Sequence, residues 1–169
     1  MARRPLIAAN WKMNKSIAEA RDFCERLLPR LGGRDEGGAE VVVCPPYLAL
    51  PAVVEACAGA PVGVAAQNMY FEGSGAYTGE VSATMLRDAG ADGVILGHSE
   101  RRQLFGESDE ALSRKVPAAL AAGLLRLRQA RQRRRAARSG GDRRRVGRWR
   151  VPRSRRFRRD RRGGVRRRR

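Results

Sequence analysis

Residues 5–28 read PLIAANWKMNKSIAEARDFCERLL, and this stretch contains the first structural unit of the chain. An apolar run over residues 5–10 predicts a strand, and a polar turn follows it. From residue 17 the apolar side chains are spaced three or four positions apart, which predicts an amphipathic helix. Ser16 fits the N-cap position with Glu19 three residues later, and Gly32-Gly33 marks the end of the helix. The stretch therefore predicts a strand, a loop and a helix.

The same unit repeats three more times along the chain, and Leu124-Leu125 begins a fifth apolar run. The predicted strands and the helices that follow them cover residues 40–44 and 48–58, 61–66 and about 80–89, and 92–97 and 108–122. Strands that are apolar on both faces and alternate with amphipathic helices are typical of a parallel sheet covered by helices, so the predicted fold class is α/β. An open doubly wound sheet and a closed eightfold barrel share this pattern, and periodicity does not distinguish them.

The positive charge of the chain is concentrated towards its carboxyl terminus. Residues 1–124 carry 13 Lys or Arg against 15 Asp or Glu, whereas residues 125–169 carry 23 Arg against 2 Asp. The net charge of +19 therefore comes entirely from residues 125–169. We predict a globular domain over residues 1–124 and a low-complexity basic tail over residues 125–169, which has too few apolar side chains to build a core and is expected to be disordered.

The sequence predicts neither a membrane segment nor a metal site. There is no run of about eighteen apolar residues, and Asn10 interrupts the first apolar run, so we expect no membrane span, no secretory signal and a cytoplasmic location. Cys24, Cys44 and Cys57 lack the paired spacing of metal ligands, and the chain has one histidine. We interpret the cysteines as buried free thiols in a reducing compartment.

Polar residues gather directly after three of the predicted strands. Asn10 and Lys12 follow the first, Gln67 and Asn68 the third, and His98 and Glu100 the fourth. In parallel α/β folds the carboxyl ends of the strands form one rim, and ligands bind there. Each residue alone also has a simpler interpretation, Lys12 as a solvated loop lysine and His98 as a capping residue. Their common position at one rim favours a ligand site.

Five separated motifs resemble the triosephosphate isomerase family, in the order and at the spacing of that family. They are Asn10-Trp11-Lys12-Met13-Asn14, Cys44-Pro45-Pro46, Ala66-Gln67-Asn68, Gly75-Ala76-Tyr77-Thr78-Gly79-Glu80 and Gly97-His98-Ser99-Glu100-Arg101-Arg102. The resemblance covers residues 4–123 and implies a TIM barrel, of which only about the first four strand–helix units are present. It also implies the interconversion of dihydroxyacetone phosphate and D-glyceraldehyde 3-phosphate through an enediolate, in glycolysis and gluconeogenesis, without a metal or organic cofactor.

The resemblance implies roles for four residues at the rim. Lys12 holds the triose phosphate and its developing enolate oxygen, because a compact ammonium on a long stem suits a dianionic substrate, and Asn10 shapes the same pocket. His98 is the electrophile that donates a hydrogen bond to the substrate carbonyl, kept neutral by the helix that opens at Ser99. Glu100 supports Lys12, although without the family an ordinary first-turn helix acid explains it as well.

The glycine-rich stretch over residues 71–80 resembles the protruding dimer loop of the family. The threonine of that loop matches Thr78, which by this resemblance reaches towards the active site of the neighbouring subunit. The resemblance therefore implies a homodimer with Thr78 at its interface. Composition alone gives the alternative of a mobile surface loop.

The second half of the family's barrel has no counterpart in the sequence. The family closes eight units in roughly 250 residues, whereas the repeat here stops near Gly123. The glutamate that serves the family as general base, its lid and its phosphate-gripping loops resemble nothing in residues 125–169, where the only acids, Asp142 and Asp160, are embedded in arginines. We therefore expect this chain to be inactive as an isomerase.

Two explanations of residues 125–169 stay open. A shifted reading frame in a GC-rich gene converts codons for Ala, Gly and Glu into Arg codons and ends homology abruptly, and we favour this interpretation. The alternative is a nonenzymatic basic arm that binds nucleic acid nonspecifically through the phosphates, with Trp149 and Phe157 available to stack on bases. The arginine runs lack the spacing of a module that reads sequence.

Overall fold

The computed structural model describes residues 4–31 and 38–127. The chain divides into a unit over residues 1–131 and a unit over residues 132–169, and the described residues all belong to the first. The strands and α-helices in these ranges are β1 Leu6–Asn10, α1 Ile17–Leu27, β2 Glu40–Cys44, α2 Leu50–Ala56, β3 Gly63–Ala66, α3 Ala83–Asp88, β4 Gly93–Ile95, α4 Ser99–Leu104, α5 Asp109–Ala121 and β5 Leu125–Leu127. The run that begins at Leu124-Leu125 thus becomes a fifth strand.

The five strands form one parallel sheet in the order β1-β2-β3-β4-β5. In β1 and β2, Leu6 lies opposite Glu40 and Asn10 lies opposite Cys44. The predicted α/β class and parallel pairing are confirmed. Each strand lies beside its predecessor, without the reversal of strand order that defines a doubly wound sheet. Of the two folds that share this repeating pattern, the structure therefore supports the barrel type.

Helix α1 begins where the sequence predicts, because Ser16 and Glu19 cap it reciprocally. The Oγ of Ser16 accepts a hydrogen bond from the N–H of Glu19 at 3.3 Å, and the Oε2 of Glu19 accepts one from the N–H of Ser16 at 2.7 Å. This capping box satisfies donors that the first turn otherwise leaves unpaired. The stop predicted at Gly32-Gly33 lies outside the described residues.

The helix predicted over residues 80–89 begins three residues late, as α3. Ser82 caps it, with its hydroxyl accepting a hydrogen bond from the N–H of Met85 at 3.3 Å. Val81 stays outside the helix because its carbonyl accepts the N–H of Tyr70 at 2.8 Å. The other predicted elements are present but shorter at their ends, as α2, β3, β4 and α5.

Strands β2, β3 and β4 bury side chains on both faces of the sheet, as predicted, whereas β1 is largely exposed. Successive side chains of a strand point to opposite faces. In β2, Val41 and Val43 therefore join the large core cluster between sheet and helices, whereas Val42 and Cys44 join a smaller cluster with Ala65 and Ile95. The large cluster fixes the helices against the sheet and thereby sets where each strand-to-helix connection begins.

The three cysteines are buried and free, as expected from the sequence. Burial raises the pKa of the Cys44 thiol to about 12. Among the described residues, no group of three or more His, Cys, Asp or Glu side chains is arranged to hold a metal ion. None of the helices in that same part of the chain has the length and apolarity needed to cross a membrane.

Candidate functional site

The polar residues that follow β1, β3 and β4 lie around one recess of about 250 Å³ at the carboxyl ends of these strands. Tyr47 and Arg101 contribute to the same wall. The residues predicted from the sequence that line this recess are Asn10, Lys12, Gln67, Asn68, His98 and Glu100. The structure thus brings the six together, while the chemical role of each stays a prediction.

The backbone of Lys12 is held in an uncommon conformation by its neighbours. Its φ of 55° lies in the left-handed region, which costs a non-glycine residue about 1–2 kcal/mol. The side-chain oxygen of Asn10 accepts the N–H of Lys12 at 3.0 Å. The side-chain amide of Gln67 donates to the carbonyl of Lys12 at 2.9 Å and to that of Cys44 at 2.8 Å. Asn10 and Gln67 therefore fix the direction in which Lys12 leaves the sheet.

The side chain of Lys12 forms an ion pair with Glu100 across the recess. The ammonium donates a hydrogen bond to Oε1 of Glu100, and both side chains are about half exposed. This hydrogen bond and the positive charge of Lys12 lower the pKa of the Glu100 carboxyl below its ordinary value of 4.5. Exposed pairs of this kind contribute at most about 1 kcal/mol to stability, so what the pair provides is the position of the ammonium.

His98 lies three residues after the end of β4 and caps helix α4. It is only 7 % exposed, and its Nδ1 accepts a hydrogen bond from the N–H of Glu100 at 3.2 Å. An imidazole nitrogen that accepts a hydrogen bond carries no proton, so the neutral ring carries its proton on Nε2. The capping and electrophile interpretations are therefore compatible, because Nδ1 caps the helix and Nε2 is the nitrogen left to donate.

A cluster of buried polar side chains lies beside the recess and was not predicted from the sequence. We call Asn68, Glu107 and Lys115 the buried triad; each is less than a tenth exposed. The ammonium of Lys115 donates to Oε1 of Glu107 at 2.5 Å and to the side-chain oxygen of Asn68 at 2.9 Å. Oε2 of Glu107 accepts the N–H of Gly97 at 3.1 Å. The triad thus links α5 to the connections that follow β3 and β4.

The sequence holds a signal for one member of the triad. Lys115 follows Leu112 by three positions and precedes Ala119 by four, so it lies on the apolar stripe of α5. A lysine on such a stripe indicates a buried partner of opposite charge. Nothing in the local sequence distinguishes Glu107, which lies in a loop between two helices, from a solvated acid.

Thr78 is exposed and does not line the recess of its own chain. The loop that carries it is anchored by aromatic rings, since Tyr70 lies 4.2 Å from Phe71 and 4.7 Å from Tyr77 between ring centroids. The guanidinium of Arg114 lies 3.8 Å from the centroid of Phe71. These contacts hold the base of the loop, and the role of Thr78 at a dimer interface stays a prediction.

A second, larger recess of about 740 Å³ lies beside the first, between the β1–α1 loop and the segment after β2. Three large apolar side chains of its wall are exposed: Met13 is 95 % exposed, Leu48 is 84 % exposed and Ile17 is half exposed. Apolar side chains clustered in this way on a surface are typical of a protein–protein contact.

Comparison with known proteins gives a consistent result over the described part of the chain. The family model described as triosephosphate isomerase matches residues 5–128. The triosephosphate isomerase of Symbiobacterium thermophilum is 57 % identical over 123 residues, which are 73 % of this chain and 47 % of that protein. The triosephosphate isomerase of Moorella thermoacetica is 53 % identical over 117 residues, 69 % of this chain and 46 % of that protein.

A solved structure agrees. The crystal structure of triosephosphate isomerase from Bartonella henselae superposes with a TM-score of 0.67 at 40 % identity, covering 75 % of this chain and 51 % of that one. The chain spans about half the length of the curated relatives that it matches.

Proposed function

Since this chain belongs to the triosephosphate isomerase family, we propose that the recess around Lys12 and His98 binds a triose phosphate and polarises its carbonyl group. The single observation that carries the proposal is the hydrogen bond from the N–H of Glu100 to Nδ1 of His98, which leaves the neutral ring with its proton on Nε2. The reaction is the glycolytic interconversion of dihydroxyacetone phosphate and glyceraldehyde 3-phosphate. A glycolytic enzyme works in the cytoplasm, and we propose that location.

His98 and Lys12 stabilise the negative charge that develops during the reaction in different ways. His98 donates a hydrogen bond from Nε2 to the substrate carbonyl oxygen, which becomes an enediolate oxygen when the adjacent carbon loses its proton. The ammonium of Lys12 compensates the charge that develops there and on the phosphate. Fixed donors of this kind accelerate a reaction because they are already oriented before charge develops. Glu100 holds the ammonium of Lys12 in place before the substrate arrives.

Proton abstraction also needs a base, and we propose that this chain alone does not supply an efficient one. Within residues 4–31 and 38–127, Glu100 is the acid that lines the recess and is paired with Lys12, and Glu107, whose carboxylate accepts the N–H of Gly97, is paired with Lys115. The hydrogen bond and the positive charge of Lys12 lower the pKa of the Glu100 carboxyl and thereby weaken it as a base. Asp142 and Asp160 lie outside the described residues. The chain therefore contributes the polarising half of the site.

Replacing Lys12 by Met is expected to weaken the binding of dihydroxyacetone phosphate about tenfold, which corresponds to about 1.4 kcal/mol. The change removes the ammonium and keeps a side chain of similar length. Isothermal titration calorimetry on the full chain measures the dissociation constant. The matched control is Arg21→Met, which removes an exposed ion pair with Glu55 and lines neither recess. Equal losses in both variants, or none in either, contradict the proposal.

We also propose that the chain forms a homodimer through the second recess, with Thr78 of one subunit facing the site of the other. The exposed side chains of Met13 and Leu48 support this proposal. Sedimentation of the full chain is expected to show a dimer that dissociates on dilution and that Met13→Glu disrupts. Arg26→Gln, which changes an exposed ion pair on α1, is the control that leaves the dimer intact. A wild-type chain that stays monomeric at all concentrations contradicts the proposal.

Residues 129–169 follow the match to the family model and lie outside the described residues. We propose that they are translated from a shifted frame, and sequencing the gene through this region in all three frames tests the proposal. A neighbouring frame that continues the family sequence supports it, and closed neighbouring frames contradict it. The charge of the tail favours a second candidate function, nonspecific binding of nucleic acid, whatever the origin of the tail.

A further inference from the structure

On the premise of the proposed function, we propose that Glu107 and Lys115 are positioning residues for His98. They do not line the recess, and they act on the imidazole through the backbone that carries it. The role goes beyond the interactions of His98 with its neighbours in the site. It explains why an ion pair is buried beside the recess.

Glu107 holds the chain on both sides of His98. Before the histidine, Oε2 of Glu107 accepts the N–H of Gly97 at 3.1 Å. After it, the N–H of Glu107 donates to the carbonyl of Arg101 at 3.1 Å, and Nε of Arg101 lies 3.4 Å from Oε1 of Glu107. One residue therefore fixes both ends of the turn from β4 into α4. That turn places the N–H of Glu100 against Nδ1 of His98.

The backbone at Gly97 needs such an anchor. Its φ of 71° is in the left-handed region, and a Cβ added there would lie 3.1 Å from the side chain of Leu112 on α5. The conformation therefore depends on close packing against α5 as well as on the hydrogen bond to Glu107. A displacement of the Glu107 side chain therefore moves Gly97, the residue that precedes His98.

Lys115 fixes the carboxylate of Glu107 in turn and links it to the side chain of Asn68. The side chains of Glu107 and Lys115 are 2 % and 7 % exposed, so each needs the charge of the other. The ammonium also holds the side chain of Asn68, which lines the recess. Replacing Lys115 leaves Glu107 with the guanidinium of Arg101, 3.4 Å away, as its counter-charge, and we expect the carboxylate to turn towards Arg101 and leave Gly97.

The experiment uses the full chain and its single histidine. Long-range ¹H–¹⁵N correlation spectra report which imidazole nitrogen carries the proton, without assignment ambiguity. In the wild type we expect the Nε2–H form and slow exchange of the Gly97 amide. In Lys115→Met and in Glu107→Gln, the ratio of the Nε2–H form to the Nδ1–H form should fall roughly threefold to tenfold, as for the loss of about one hydrogen bond. Exchange at Gly97 should accelerate, while the amide of Val43 in β2 stays protected.

Arg102→Met is the matched control, because it removes an exposed ion pair with Asp109 that joins α4 to α5. Unchanged tautomer ratios in both test variants, or an equal change in the control, overturn the proposal. If a variant does not fold, the wild type alone still tests the proposal. A Gly97 amide that exchanges as fast as the amides of an open loop is not held by Glu107, and that result overturns the proposal. Failure of the proposed function is seen separately, as the absence of any His98 shift when dihydroxyacetone phosphate is added to the wild type.

Discussion

The purified full chain should catalyse the isomerisation of glyceraldehyde 3-phosphate with a kcat at least about 10²–10⁴-fold below that of the Symbiobacterium thermophilum relative, because that is the usual contribution of a positioned acid or base. In the described part of the chain, Glu100 and Glu107 are both held by ammonium groups. Neither is free to take a proton from substrate carbon. A coupled assay that consumes dihydroxyacetone phosphate measures the rate.

Contaminating host enzyme is the main source of error in this assay, and His98→Gln separates it from the activity of the chain. Activity that survives His98→Gln does not arise in this recess. Turnover close to that of the relative that disappears in His98→Gln contradicts the prediction, because it shows that the chain contains an effective base.

The affinity of the full chain for nucleic acid should fall steeply as the salt concentration rises. Residues 132–169 contain 20 Arg and 2 Asp. A segment that neutralises about six to ten phosphates loses about 10³–10⁵ in affinity between 50 and 200 mM salt. We expect the full chain to show this dependence with two DNA oligonucleotides of unrelated sequence and to bind both equally. Fluorescence anisotropy of labelled oligonucleotides measures the affinity.

The control removes residues 132–169 and keeps β5, which includes Leu125–Leu127. Circular dichroism checks that the shortened chain keeps its fold. Retention of DNA by the shortened chain contradicts the proposal that the tail binds it. A strong preference for one of the two oligonucleotides contradicts nonspecific binding.

Local sequence predicted the elements well where the signal is itself local. The capping box at Ser16 and Glu19 requires only two side chains three residues apart, and helix α1 begins where that spacing predicts. The start of α3 was missed because it depends on the pairing of Tyr70 with Val81, which no spacing in the sequence reveals. Strand order was likewise undecided, since an open sheet and a barrel share one repeating unit.

The candidate site shows the same division. The recess was predicted because the carboxyl ends of parallel strands meet at one rim, which brings Lys12 and His98 together whatever the details of packing. The left-handed conformation of Lys12 and the pairing of Lys115 with Glu107 were not predicted. Both depend on contacts between segments far apart in the chain.

The measurement that decides most directly is the imidazole ¹⁵N spectrum of His98 in the full chain, recorded before and after the addition of dihydroxyacetone phosphate. We predict a neutral ring with its proton on Nε2 in both states, and a ligand-induced shift that is larger at Nε2 than at Nδ1, because Nδ1 stays bonded to the N–H of Glu100. A proton on Nδ1, or a spectrum that the ligand leaves unchanged, would contradict the assignment of this recess as a triose phosphate site.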